Sequence, residues 1–259
     1  MREVNFEGLG LSLKFNNILC SFNGLSIHWY AVMIVLGIVA GFVVCKINEN
    51  KYKIKYEYIL ELALITFPMA IIFARLYYVL FNLDYYMQNP ADIIKIWNGG
   101  IAIYGAIIGS IIAIVIYCKI RKINILEMFD YIVPALAIGQ CIGRWGNFFN
   151  TEAHGTETNS ILRMGIVEDE KYIQVHPTFL YESICTLLIF IVLMVITRKK
   201  RYNGQLTCIY FFMYGIARAI IESFRTDSLM LGNIRISQIL SIIIAVICGI
   251  ILLKNRKGK

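Results

Sequence analysis

The sequence predicts an all-α, polytopic integral membrane protein with seven transmembrane helices and an extracytoplasmic head segment over residues 147–176. Of its 259 residues, 58% are hydrophobic and only 16% are charged, and the mean hydropathy is +0.66. A soluble protein of this length needs more polar surface than that. The third observation is a series of apolar windows, each long enough for the roughly 30 Å hydrocarbon core of a bilayer.

The predicted spans follow one another without an internal repeat, so we expect a single membrane domain over residues 1–259. The first apolar window lacks the flanks of a cleavable signal and is predicted to be an uncleaved span. The residues before it mix polar and apolar side chains and are expected to lie along the outer interface. In order, the spans are predicted near 27–46, 57–81, 100–118, 126–145, 178–197, 205–224 and 236–253.

The positive charges predict the orientation of these spans. With the N-terminus outside, the short inner segments contain 15 of the 25 Lys and Arg residues, the longer outer segments contain seven, and three lie within spans. This asymmetry follows the positive-inside rule and predicts a cytoplasmic C-terminus. The net charge of +8 is therefore a topology signal, and we expect no nucleic-acid partner. The seven cysteines lack Cys-x-x-Cys spacing, so no metal site or cofactor is expected.

The three intramembrane arginines are Arg75, Arg144 and Arg218. An arginine at membrane depth costs about 2.5–3.5 kcal/mol on insertion scales, which calls for a purpose. The predicted topology places all three in the outer leaflet. His28, Tyr30 and Tyr104 are predicted at the same level. The sequence therefore predicts a site for an anionic group at the outer face of the membrane.

The sixth predicted span has a polar stripe formed by Tyr214, Arg218, Glu222 and Arg225, whose spacing puts them on one face of a helix. Arg218 and Glu222, at i and i+4, can form an ion pair. A structural ion pair between helices would explain the stripe. The second arginine leaves positive charge unmatched, which favours an anionic ligand instead.

Arg144 lies in the unusual string Gly-Arg-Trp-Gly-Asn-Phe-Phe-Asn-Thr-Glu-Ala-His-Gly, residues 143–155. Its glycines, among them Gly155, allow the backbone to approach a ligand and to offer N–H groups to an anion. The arginine fork matches phosphate through two parallel hydrogen bonds. Arg75 is compatible with a third clamp or with a helix-to-helix link. The string His176-Pro177-Thr178 favours helix capping and packing.

Carboxylates within the predicted spans are candidates to neutralise the arginines, although the sequence does not assign the pairs. They are Glu61, Asp130 and Glu182.

The string 143–155 resembles the prolipoprotein diacylglyceryl transferase family, whose pattern Gly-Arg-x-Gly-Asn-Phe-x-Asn-x-Glu-x-x-Gly it matches at every fixed position. The resemblance extends over nearly the whole chain. Some relatives have a histidine where Tyr104 stands, so a histidine base at that position is excluded here. The supporting segments, in the family's order, are Ile27-His28-Trp29-Tyr30, residues 99–105, residues 176–182 and residues 214–225.

The resemblance implies a bacterial cytoplasmic-membrane enzyme of seven spans. It would transfer the diacylglyceryl group of phosphatidylglycerol to the lipobox cysteine of a prolipoprotein signal peptide, forming a thioether and releasing glycerol phosphate. No cofactor is implied. Phosphatidylglycerol is an anionic lipid, as the predicted site requires.

The resemblance also implies roles for individual residues. Arg144 and Arg218 would be catalytic and bind the phosphate, and Glu222 would fix Arg218. Tyr104 is a further catalytic candidate, and the proton acceptor is left open among His28, Glu152, His154 and Tyr104. The predicted substrate-binding residues are Arg144, Asn147, Gly155, Tyr30, His28, Glu152, Tyr214, Arg75 and Arg225.

Three other functions compete with a transferase. A transporter of an anionic lipid would also use intramembrane arginines, but it predicts polar residues along the inner halves of the spans, which are mostly apolar. A phospholipid hydrolase predicts a nucleophile–base pair or a metal-ligand set, and the sequence has neither pattern. A purely structural membrane protein gives the three arginines no purpose.

Overall fold

The computed structural model describes residues 2–22, 25–168, 170–226, 230–232 and 234–257. The chain folds into two compact units, Met1–Ile47 with Asp130–Lys259 as the first and Asn48–Phe129 as the second. Helices dominate the described residues: α1 (Trp29–Asn48), α2 (Tyr56–Leu80), α3 (Leu83–Gln88), α4 (Ile103–Arg121), α5 (Ile125–Asn150), α6 (Thr178–Thr197), α7 (Gln205–Glu222) and α8 (Ile236–Lys257).

Six helices of the described chain are long and apolar enough to cross a membrane, so the protein is a mostly helical membrane protein. A helix satisfies its own backbone hydrogen bonds, which the interior of a bilayer requires. The sixth predicted span, 205–224, corresponds to α7. This helix is absent from the six because Gln205, Arg218 and Glu222 lower its hydropathy. The six segments are Trp29–Lys51, Tyr56–Leu80, Ile103–Arg121, Ile125–Asn150, Thr178–Thr197 and Ile236–Asn255.

The first unit also contains β-strands, so the prediction of an all-α fold was incomplete. Four antiparallel strands form one sheet in the order β2-β1-β5-β6. Its strands come from the two segments expected to lie at the outer interface and in the head. Two smaller sheets pair β3 with β4 and β7 with β8. The strands are β1 (Arg2–Phe6), β2 (Leu11–Phe15), β3 (Ile18–Phe22), β4 (Leu25–His28), β5 (Met164–Glu168), β6 (Lys171–Val175), β7 (Met230–Leu231) and β8 (Ile234–Arg235).

One face of the four-stranded sheet packs on the ends of two helices. Phe148, near the end of α5, and Phe179, at the start of α6, form a buried cluster with side chains of the sheet. The two phenylalanine rings lie 5.0 Å apart. Burial of these apolar side chains fixes the sheet over this end of the helices. The strand residues of the cluster are Val4, Phe6, Met164, Ile166 and Val175.

Small residues bring the helices of the first unit close together. A Cβ on Gly37 of α1 would lie 3.0 Å from the carbonyl oxygen of Gly139 in α5, and one on Gly215 of α7 would lie 2.6 Å from the carbonyl oxygen of Ser241 in α8. Close backbone approach of this kind is the usual way in which helices associate in lipid.

In the second unit, α2 packs on α4 at two glycines. A Cβ on Gly105 would lie 2.3 Å from the carbonyl oxygen of Phe73, and one on Gly109 would lie 2.6 Å from the Phe73 Cβ. Between these helices the chain forms α3 and two 3₁₀ turns, Pro90–Ile94 and Ile96–Asn98. Gly99 and Gly100 then have positive φ values of 82° and 75°. This loop returns the chain to the start of α4.

Candidate functional site

Glu182 is the centre of a polar cluster within the first unit. It projects from α6, and its side chain is only 2% exposed. Its Oε1 accepts hydrogen bonds from an Arg144 Nη of α5 and, at 3.1 Å, from the Tyr214 hydroxyl of α7. Its Oε2 accepts one from an Arg218 Nη at 3.0 Å. One buried carboxylate thus joins two arginines from different helices.

The polar stripe of α7 supplies the rest of the cluster. The Arg218 guanidinium lies 2.6 Å from a Glu222 carboxylate oxygen, in the i, i+4 geometry that the sequence predicts. Glu222 is 1% exposed, and its carbonyl oxygen accepts a hydrogen bond from Arg235. Arg225, just beyond α7, places a nitrogen 3.9 Å from the Glu182 carboxylate. Buried charges in proteins are paired in this way because an isolated one is costly.

Arg144 and Arg218 are both partly open, with side chains 24% and 16% exposed. Glu182 holds one Nη group of each, and Arg144 makes a further long hydrogen bond of 3.4 Å to the Asn147 side-chain oxygen. A guanidinium has five N–H donors. Each of these two therefore retains donors that an incoming anion can use.

Asn147 extends the cluster toward an exposed carboxylate. Its side-chain nitrogen donates to Glu152 Oε1 at 3.0 Å, so a chain of polar contacts runs from Arg144 through Asn147 to Glu152. Glu152 is exposed. Glu152, one of the four candidate proton acceptors, is thus linked to Arg144 through the Asn147 side chain.

His154 is a poor candidate for the proton acceptor. Its Nδ1 lies 3.1 Å from the Gly155 carbonyl oxygen and its Nε2 lies 3.2 Å from Glu168 Oε1. Both ring nitrogens are thus engaged within the protein, and the side chain is buried. A substrate thiol would have to displace one of these contacts to reach the ring.

Gly155 has a packing role in this structure. Its N–H donates to the His176 carbonyl at 2.9 Å, so that amide does not point to a ligand. A Cβ at this position would lie 2.7 Å from the His176 Cβ and 2.9 Å from the Phe224 carbonyl oxygen. The glycine lets the end of the motif fit between two other segments, and the expectation that its backbone orients the head group stays a prediction.

The string His176-Pro177-Thr178 holds the same junction. The Thr178 hydroxyl donates to the Ala153 carbonyl at 2.5 Å, and the His176 Nδ1 lies 3.2 Å from the Tyr181 hydroxyl. Burial lowers the pKa of His176 below its usual value, which favours the neutral imidazole at pH 7. These contacts agree with the capping and packing interpretation of the string.

Tyr30 and His28 precede or begin α1. The Tyr30 ring packs over Gly146, where a Cβ would lie 2.8 Å from the ring. Gly146 is two residues after Arg144 in the motif. His28 is exposed in β4, paired with Ile18 of β3. Tyr30 thus contacts the motif directly, whereas His28 lies at the end of β4, immediately before α1.

Arg75 and Tyr104 belong to the second unit, where Arg75 has a structural environment. Its guanidinium donates to the carbonyl oxygens of Asp92, Ile93, Gly99 and Gly100 at 2.6 to 2.8 Å. Of the two interpretations of Arg75, this favours a structural link, because the side chain fastens the loop between α3 and α4. Tyr104 follows that loop at the start of α4, and its ring centroid lies 6.4 Å from that of Tyr77.

The three carboxylates left unassigned by the sequence now have partners. Glu182 pairs with Arg144 and Arg218. Asp130 lies 3.4 Å from Lys200. Glu61 lies 2.5 Å from Arg121. Sequence reasoning missed Glu182 as a site residue, although a carboxylate isolated in a highly apolar span is itself a signal of function.

Comparisons with known proteins agree with the motif. The family model described as prolipoprotein diacylglyceryl transferase matches residues 17–254. A phosphatidylglycerol–prolipoprotein diacylglyceryl transferase of Finegoldia magna is 46% identical over 230 residues, 88% of this chain and 91% of the relative. One from Clostridioides difficile is 46% identical over 228 residues, covering 88% and 90% of the two chains. A third, from Listeria innocua, is 43% identical over 242 residues, covering 90% and 87%.

Proposed function

This chain belongs to the prolipoprotein diacylglyceryl transferase family, and we propose that its reaction takes place at the cluster of Arg144, Glu182, Arg218 and Glu222. The protein is a membrane transferase of lipoprotein biosynthesis that moves the diacylglyceryl group of phosphatidylglycerol to a prolipoprotein. The observation that supports this location is the convergence of Arg144 and Arg218 on one buried carboxylate. Both guanidinium groups remain partly open to a ligand.

In the proposed complex, the phosphate of phosphatidylglycerol binds the remaining N–H donors of Arg144 and Arg218. Paired donors on a planar fork suit phosphate geometry. Glu182 holds both forks in place before the lipid arrives, and Glu222 fixes the second Nη of Arg218. Tyr214, Asn147 and Tyr30 border the same place. Preformed contacts of this kind reduce the ordering that binding would otherwise require.

The proposed reaction is a displacement at carbon. The thiolate of the lipobox cysteine attacks the diacylglyceryl carbon that carries the phosphate ester, and a C–S bond forms as the C–O bond breaks. Glycerol phosphate departs with the bonding electron pair, and its phosphate gains one negative charge. Donors aimed at developing charge stabilise the transition state more than the ground state. Arg144 and Arg218 supply those donors.

The thiol proton leaves before or during the attack. A free cysteine has a pKa of about 8.5, and cationic surroundings lower it. Glu152 is the proposed acceptor because it is exposed and linked to Arg144 through Asn147. Tyr104 lies in the second unit, and its role at the head group stays a prediction.

We also propose that α7 is a seventh span, with the N-terminus outside and the C-terminus in the cytoplasm of a bacterium. The distribution of basic residues supports this orientation through the positive-inside rule. The polar side chains Arg218 and Glu222 are paired within the protein, which offsets the cost of carrying them across a bilayer. The segment 147–176 would then face the exterior.

The test is to incubate the purified protein with phosphatidylglycerol and a lipobox peptide and to measure the peptide mass. The unaltered protein should add one diacylglyceryl group to the cysteine. Arg144→Ala and Arg218→Ala should each lower kcat/KM by about 100-fold or more, as the loss of a charge-stabilising donor does. Arg144→Lys keeps the charge but loses the fork, so it should be intermediate.

The matched control is Arg163→Ala, which removes an arginine of the head. Arg163 lies 3.5 Å from Glu7 and donates to the Ser160 carbonyl, so its replacement should change kcat/KM by less than about twofold. Full activity of Arg144→Ala or Arg218→Ala would contradict the assignment of the site. Thermal unfolding of every variant separates loss of the site from loss of the fold.

A further inference from the structure

The four-stranded sheet has an apolar face that extends past the helices on which it packs. Val4 and Phe6 of β1 point toward the helix ends and are 0% and 7% exposed. The register pairs Val4 with Leu13 and Phe6 with Leu11. Residues directly opposite each other in an antiparallel pair project from the same face. Leu11 and Leu13 of β2 therefore share the helix-facing side of the sheet.

Yet these two leucines lack the cover that their strand partners have. Leu11 is 53% exposed and Leu13 is 41% exposed. Phe15, two residues further along the same face, still packs on the helix end, with its ring 4.9 Å from that of Phe148 and 5.4 Å from that of Phe149. Along β2, the apolar face is therefore covered by the helix end at Phe15 and becomes exposed from Leu13 to Leu11. We call Leu11 and Leu13 the leucine stripe.

The location of the stripe identifies its surroundings. α5 and α6, which support the sheet, are long and apolar enough to span a membrane. The face that packs on their ends must point toward the bilayer, so the part that overhangs them meets lipid. Trp29 at the start of α1 stacks on Phe149 at 5.1 Å, and aromatic rings of this kind concentrate at membrane interfaces.

The opposite face of β2 has a different chemistry. Ser12 and Lys14 alternate with the leucines and are exposed, and Lys14 lies 3.3 Å from Glu3 on β1. Successive side chains of a strand point to opposite faces. β2 is therefore amphipathic, apolar toward the helix ends and polar away from them, as an element lying on a lipid surface should be.

We propose that the leucine stripe docks on the lipid surface of the bilayer beside the ends of α5 and α6. β2 is an edge strand, paired in the described sheet only with β1, so its outer side is open to neighbouring lipids. Docking would hold the sheet against the membrane next to the C-terminal end of α5, where the motif 143–155 lies. This inference depends on membrane insertion and not on the reaction.

The experiment places one nitroxide label at each of residues 11 to 14, in a variant with all seven cysteines replaced by alanine, reconstituted in phosphatidylglycerol-containing nanodiscs. Labels at Leu11 and Leu13 should be relaxed strongly by oxygen, which partitions into lipid. Labels at Ser12 and Lys14 should be relaxed strongly by a water-soluble nickel chelate. The matched control is thus the other face of the same strand.

Equal nickel accessibility at all four positions would overturn the proposal, because it would place both faces in water. Protection of positions 11 and 13 from both reagents would also overturn it, in favour of a protein partner or a second copy of the chain. If the cysteine-free protein fails to fold, Leu11→Trp and Ser12→Trp in the natural cysteine background decide the question. Brominated lipids should quench the first at least about twice as strongly as the second.

Discussion

At the scale of single residues, Glu182 determines how Arg144 and Arg218 are presented. A guanidinium with a free side chain would have many rotamers, whereas one held by a buried carboxylate has few, and the ordering cost is met on folding. The sequence placed Arg218 and Glu222 on one helical face, because that relation depends only on spacing within α7. It did not pair Arg144 with Glu182, since those residues are joined only when α5 and α6 pack.

Gly143 and Gly155 belong to the same motif but have different surroundings, and the sequence alone does not distinguish them. A Cβ on Gly155 would meet the His176 Cβ at 2.7 Å, whereas one on Gly143 would have no described atom beyond its own helix within 4 Å. Gly155→Ala should therefore lower the free energy of unfolding by about 1–3 kcal/mol through overpacking. Gly143→Ala, within α5, should leave it unchanged or raise it by up to about 1 kcal/mol.

Thermal unfolding in detergent micelles measures both glycine variants. Each serves as the control for the other, because both replace a motif glycine by alanine. A loss of stability in Gly143→Ala as large as that in Gly155→Ala would contradict the packing argument. Activity of Gly143→Ala, measured alongside, reports whether the open space beside this residue is needed by the lipid.

At the scale of elements, helices were predicted well and strands were not. The spans have long apolar windows whose pattern requires nothing from other parts of the chain, so six were identifiable by composition. β1 and β5 are five residues each and lie far apart in the sequence, where their pairing leaves no local signal. The apolar residues before α1 were recognised as interfacial, but their alternation was too short to predict a sheet.

α7 contains the charged residues Arg218 and Glu222 and is held by polar contacts near both ends. At its start, Asp130 of α5 accepts hydrogen bonds from the Gly204 N–H at 2.7 Å and from the N–H and hydroxyl of Thr207 at 2.9 and 2.8 Å. A carboxylate at a helix N-terminus satisfies orphan N–H groups and complements the helix dipole. Near the other end, Glu182 holds Arg218. The helix that carries the polar stripe is thus fixed at two points.

The first anchor can be tested by Asp130→Ala. The side chain is fully buried and also lies 3.4 Å from Lys200, so its removal should lower the free energy of unfolding by about 3 kcal/mol or more. The control is Glu3→Ala, which removes an exposed ion pair with Lys14 and should cost less than about 1 kcal/mol. Thermal unfolding in the same detergent measures both, and equal losses would contradict the anchoring role.

At the scale of the whole molecule, the number of spans determines on which sides of the membrane the termini lie. If α7 crosses, the chain has seven spans and its termini lie on opposite sides. If α7 does not cross, six spans return the C-terminus to the side of the N-terminus. Hydropathy favours six, whereas the basic residues favour seven through the positive-inside rule.

Labelling of single cysteines in spheroplasts with a membrane-impermeant maleimide decides between them. Cys20 is exposed in β3 and should react in intact spheroplasts, whereas Lys254→Cys at the end of α8 should react only after permeabilisation. Asn203→Cys and Ser223→Cys flank α7 at exposed positions and test the crossing itself. Seven spans predict that Ser223→Cys reacts from outside and Asn203→Cys only after permeabilisation. Reaction of both from the same side would mean that α7 lies within one leaflet, and Arg218 would then reach the lipid phosphate without a seventh span.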